Sequence, residues 1–113
     1  MANVLIIEPH PEVRELLVRI VHRLGHVVLV DDGRPVTDWE QVDAVLVEPA
    51  PEGSLEAIAP LVRERGASLV CVSIYPPSAE VTALAPVAYL QKPFSLVDLE
   101  RALVAALAEP ATA

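Results

Sequence analysis

The sequence has little with which to cross-link itself, coat a nucleic acid or enter a membrane. Its 113 residues include one cysteine, Cys71. That excludes an internal disulfide framework and a cysteine-based zinc site. Basic residues are scarce: 8 Lys and Arg stand against 16 Asp and Glu, a formal net charge of −8. A surface that tracks phosphates needs clustered Lys and Arg, so nucleic-acid binding is not expected. No apolar run approaches the ~18 residues of a membrane-spanning helix. The opening MANVLIIEPH lacks the basic segment of a secretory leader. The expected compartment is therefore the cytoplasm, with no membrane contact. Lysine is the scarcest charge of all, and Lys92 is the single example. Apolar residues, by contrast, make up 53% of the chain, enough for a core in one domain of this size. The 11 prolines are spread along the chain and punctuate elements. One domain over 1–109, with a tail over 110–113, is the expected organisation.

Short β-branched runs alternate with helical periods. Asn3–Ile7 (NVLII) predicts a strand buried on both faces. Pro11 then suits a first helical position, and Val13, Leu16, Leu17, Ile20, Val21 and Leu24 fall on one helical face. Gly25 fits the residue just past that helix, which His22 and His26 flank. Val27–Val30 predicts a second strand, ended by the turn Asp31-Asp32-Gly33. A short helix over Pro35–Gln41 precedes a third strand, Ala44–Val47, and a proline-rich loop from Glu48 to Gly53. A helix from Ser54 to Arg65 is kinked or restarted at Pro60. Ser68–Ile74 predicts a fourth strand, Ser78–Leu84 a short helix and Val87–Leu90 a fifth strand. For the last helix Ser95 is the N-cap, Asp98 lies three residues on, Phe94 and Leu99 have staple spacing, and Pro110 is the stop.

Strands this apolar need helices on both faces, which predicts an α/β, doubly wound parallel sheet. The flavodoxin-like order 2-1-3-4-5 suits five such units, and its working site lies beyond the carboxyl ends of the strands. Those ends carry Glu8, Glu48, Ser73 and Lys92-Pro93. Any one of them alone is an ordinary solvated strand end. Together, two carboxylates, a hydroxyl and an ammonium suit a phosphoryl group or a divalent cation.

The segments VLIIEPHPEVRELL, DAVLVEPAPEG, LVCVS and AYLQKPF resemble the receiver domains of two-component response regulators over about residues 2–108. The resemblance implies that Ser73 stands for the hydroxyl that ends strand 4, Tyr89 for the switch aromatic and Lys92 for the pocket lysine. It also implies a cis peptide at Pro93. Glu8 matches the first acid of the magnesium-binding pair, but Pro9 falls at the second. Glu48 falls at the position of the phospho-accepting aspartate. Helices 2 and 4 look trimmed, and the loop after Glu48 looks short.

These departures carry the functional expectation. The added methylene of Glu48 advances its carboxylate by ~1.5 Å, about one bond length. A misplacement of ~1 Å can cost on the order of 10²-fold in rate. Pro9 removes a metal ligand independently. The chain is therefore expected to be a degenerate receiver: not phosphorylated, not an enzyme, with weak or absent Mg2+ and no other cofactor. It would act as a protein-interaction module through the face of helix 4, strand 5 and helix 5, binding a partner or itself. With no output domain among these residues, the output would be another protein. A pairing of Glu48 with Lys92, bridged by Ser73, is expected to hold the pocket. Two alternatives stay open. One is an active receiver with an atypical acceptor; the other is a small-ligand or metal-binding domain with Glu8, His10 and Glu48 as ligands. His10 otherwise reads as a helix-capping surface residue.

Overall fold

The computed structural model describes residues 2–30, 41–49 and 54–108. Nine elements follow in order: β1 (Asn3–Ile7), α1 (Pro11–Arg23), β2 (Val27–Val30), β3 (Ala44–Val47), α2 (Ser54–Arg63), β4 (Ser68–Ser73), α3 (Ala79–Ala83), β5 (Ala88–Gln91) and α4 (Leu96–Leu107). The predicted fourth and fifth helices are α3 and α4. The predicted Pro35–Gln41 helix, the Asp31-Asp32-Gly33 turn and the Pro110 stop lie outside the described residues, Gln41 excepted.

All strand pairs are parallel, and the order is β2-β1-β3-β4-β5. This is the expected flavodoxin-like order. The alternating pleat splits the core in two. Val4, Ile6, Ala44, Leu46, Val70 and Val72 face α1 and α4, where they meet Leu17, Val21, Leu99 and Leu103. Leu5, Val45, Val47, Leu69 and Cys71 face the other way and pack on Ile58, Leu61, Val81 and Leu84. Each fully buried aliphatic side chain contributes roughly 1.5–3 kcal/mol. Hence the near-continuous apolar runs: neither face of β1, β3 or β4 can be polar.

Local chemistry sets the ends of the helices. Pro11 opens α1, and Gly25 closes it with φ +87°. The Gly25 N–H donates to the His22 carbonyl at 2.9 Å, and the His26 N–H to the Val21 carbonyl at 3.1 Å. These bonds need a left-handed residue at Gly25. His26 then accepts the Ala2 N–H on Nδ1 at 3.1 Å, tying the start of the chain to the end of α1. Ser95 caps α4, its hydroxyl accepting the Asp98 N–H at 3.0 Å. The fourth helix is indeed short: α3 has 5 residues between the N-cap Ser78 and Leu84. Element ends differ slightly from expectation. β4 stops at Ser73, α2 at Arg63, and β5 runs one residue later than predicted. Pro60, the seventh of ten residues, lies inside α2 without ending it, at the loss of one N–H from the helix's bonding.

Candidate functional site

Four strands deliver their carboxyl ends to one cleft of about 490 Å³, whose lining includes Pro9, His10, Glu48, Tyr75 and Lys92. Glu8 follows β1 directly, and its side chain is fully buried. Glu48 follows β3, its N–H continuing the ladder to the Ile7 carbonyl at 2.9 Å, and it is 4% exposed. Ser73 ends β4 and is buried. Lys92 follows β5, its N–H bonded to the Ser73 carbonyl at 2.6 Å, and its peptide to Pro93 is cis.

The side chains form one connected network. The Lys92 ammonium sits 2.7 Å from Glu8 Oε1 and 3.7 Å from Glu48 Oε2. Glu8 Oε2 accepts the His10 N–H at 3.2 Å, with His10 Nδ1 at 3.4 Å. Arg14 donates to the Glu8 carbonyl at 3.3 Å. Ser73 Oγ donates to Glu48 Oε1 at 3.2 Å and accepts the Tyr75 N–H at 3.1 Å. The Tyr75 carbonyl in turn accepts the Tyr89 hydroxyl at 2.6 Å. A single chain of hydrogen bonds thus runs from Glu48 through Ser73 and Tyr75 to Tyr89 on the sheet edge. Gln91 adds a second tie, donating to the Ile74 carbonyl at 3.3 Å.

Two expectations need adjustment. The expected Glu48–Lys92 pair is present at 3.7 Å, but Lys92 meets Glu8 more closely at 2.7 Å, and Ser73 binds Glu48 without reaching the ammonium through its side chain. Glu8 is the more deeply buried of the two carboxylates, and a desolvated charge is stabilised most by a counter-ion in direct contact. His10 occupies the N-cap of α1 but makes no side-chain cap; its ring lies by Glu8 instead. Pro9 is exposed at the rim, and a prolyl ring offers no oxygen. Among the described residues, no three His, Cys, Asp or Glu side chains are arranged to hold a metal ion.

The residues that sequence reasoning missed are Tyr75 and Cys71. Tyr75 stands in an exposed loop, and nothing in its spacing announces a bond from Tyr89. Cys71 lies under the site; burial, reinforced by the charge of Glu48, pushes its thiol up to about 12.

The fold has counterparts among solved structures. A two-component response regulator from Clostridium difficile superposes with TM-score 0.81 at 13% identity, covering 99% of this chain and 100% of that one. A signal receiver domain from Clostridium thermocellum gives 0.79 at 16% identity, covering 95% and 98%. The fold is that of a response-regulator receiver domain. A putative pilus assembly protein from Burkholderia thailandensis shares the receiver fold too, with TM-score 0.74, 24% identity and coverage of 94% and 98%. No protein-family model and no curated protein matches the sequence. Among the described residues no helix of the receiver fold is long and apolar enough to cross a membrane.

Proposed function

We propose that this receiver-fold chain is a signalling module that works by protein contact and not by phosphotransfer. The observation that carries the reading is the state of Glu48. Its carboxylate already holds Ser73 through Oε1, and Ser73 already holds the Tyr75–Tyr89 relay. A phosphoryl group on a shorter acceptor would have to recruit that hydroxyl; here a carboxylate side chain does so permanently. The cation that phosphotransfer needs has a poor seat. Pro9 contributes no ligand, and both Glu8 oxygens are engaged by Lys92 and His10. Magnesium keeps several waters and needs one or two carboxylates as anchors, and the nearest, Glu8, is already held by Lys92 and His10.

The contact surface is the face of α3, β5 and α4. Val87, Leu96, Val97 and Val104 are exposed there. Val97 and Val104 border a shallow groove of about 440 Å³ along α4. A second copy or a partner with an apolar helix face would cover it. The role in signalling also agrees with the receiver domains that share the fold.

Intact-mass measurement after incubation with acetyl phosphate and magnesium tests the reading. The mass should stay unchanged. Glu48→Asp alone should not restore phosphorylation, because Pro9 still removes a ligand. A gain of one phosphoryl group on the unmodified chain would overturn the proposal.

A further inference from the structure

Two side chains hold the entrance to β1. The Ala2 N–H donates to His26 Nδ1 at 3.1 Å, and the Asn3 N–H donates to Asp43 Oδ2 at 2.7 Å. His26 directly precedes β2 and Asp43 directly precedes β3, so each ties β1 to a neighbouring strand. Both line a cavity of about 640 Å³ at the amino ends of the strands, the opposite end of the sheet from the cleft. A ring nitrogen accepts only with its lone pair free, so His26 is neutral in this arrangement, with its proton on Nε2. A protonated ring carries N–H on both nitrogens and turns a donor toward the Ala2 donor. Histidine ordinarily makes that change between about pH 5 and 8.

We propose that His26 is a pH-sensitive latch on the start of β1, closed while the ring is neutral and released when it gains a proton. The released ring turns into the cavity, where other acceptors face it. Asp43 presents a carboxylate there. α4 ends at Leu107 with no basic residue in its last turn, and Leu107 and Ala108 line the same cavity, so the negative pole of that helix lies beside the ring. The end of α1 adds a second negative pole. Against these stands the Arg65 guanidinium, which also lines the cavity. His22 and Arg23, in the last turn of α1, are exposed and screened by water and salt. One carboxylate and two helix ends, each of roughly half a charge, outweigh one guanidinium. The Val27 N–H still bonds the Ala2 carbonyl at 2.8 Å, so acid loosens the entrance of β1 without taking the strand from the sheet. The latch lies apart from Glu8 and Glu48, and it stands or falls independently of the phosphorylation test.

Proton and nitrogen resonances of the full chain, followed from about pH 8 to about pH 5, test the latch. At the upper end the His26 ring should show a bare Nδ1 and a protonated Nε2. As pH falls the Ala2 amide should move together with the ring. Its solvent exchange, corrected for the intrinsic effect of pH, should rise about fivefold, the effect of losing one hydrogen bond. Asparagine offers an oxygen near the place of Nδ1 and does not titrate, so His26→Asn should leave the Ala2 amide unmoved across the range. Asp43→Asn keeps an oxygen for the Asn3 N–H but removes the counter-charge, so release should shift to lower pH. The proposal is overturned by a ring protonated on Nδ1 at the upper end, by an Ala2 amide that does not move in the unmodified chain, by the same pH profile in His26→Asn, or by an unshifted transition in Asp43→Asn.

Discussion

Replacing Lys92 by methionine strands two carboxylates at once. Glu8 has no exposed side-chain surface, Glu48 has 5%, and the ammonium between them is 14% exposed. Removing one partner of a buried pair costs about 3–5 kcal/mol, because the charge left behind is neither solvated nor matched. The nearer contact, at 2.7 Å, carries most of this; the one at 3.7 Å is beyond hydrogen-bond range and adds a smaller Coulomb share. A domain of this size has a total stability of about 5–15 kcal/mol. Lys92→Met should therefore lower the melting temperature by ~12–20 °C, taking roughly 4 °C per kcal/mol. Urea unfolding followed by far-ultraviolet circular dichroism at neutral pH gives the free energy directly. Glu8→Gln alone should cost less, since the amide oxygen still accepts from Lys92. In the double variant Lys92→Met with Glu8→Gln, part of the loss should return, giving a coupling energy of about 2 kcal/mol or more. A loss below ~1 kcal/mol for Lys92→Met is the value of an exposed ion pair. Such a result would refute the buried network as drawn.

Three further outcomes follow from other contacts. The Cys71 thiol is held neutral up to about 12 in the fold, against its ordinary 9.0. The unfolded chain then releases this proton first, so stability is unaffected below pH 9.0 and falls above it, by up to ~1.4 kcal/mol per pH unit; urea midpoints across alkaline pH, compared with Cys71→Ala, measure it. Tyr89→Phe deletes the 2.6 Å bond to the Tyr75 carbonyl and should cost ~0.5–1.5 kcal/mol, with faster amide exchange confined to residues 74–78; unchanged exchange there would contradict the relay. Ser95→Ala removes the cap of α4 and should cost ~1 kcal/mol in the same unfolding assay.

The strands were legible because burial on both faces leaves no room for polar residues: NVLII, AVLV and SLVCVS announce themselves. Gly25 and Ser95 were legible because each does a local job that few residues can do. Lys92 drew notice through rarity. The choice of its partner did not follow from the sequence. Glu8 and Glu48 are the same residue type at equivalent strand ends, and which one meets the ammonium depends on side-chain reach across three strands. Tyr75 was hidden for another reason: its part is played by backbone atoms, which every residue possesses. The burial of Glu8 was equally silent, since a strand-end glutamate is ordinarily wet.

Among the described helices, the two sides of the sheet are covered unequally. One carries α1 and α4, of 13 and 12 residues; the other carries α2 and α3, of 10 and 5. Among the described helices, the thinner cover lies over the layer that includes Cys71, Val81 and Leu84, against which Tyr89 also packs. Local opening begins where least apolar surface must be exposed. The rind over α3 is therefore the domain's soft side, and the heavier side acts as its anvil. Any molecule that grips α3 works against a small resistance, while β1 and β3, clamped from behind by the longer pair, keep Glu8 and Glu48 in place. Deformation at the rim then meets the buried charges through the hydrogen bonds that run from Tyr89 by way of Tyr75 and Ser73 to Glu48, so one small domain is compliant at one surface and rigid at the other.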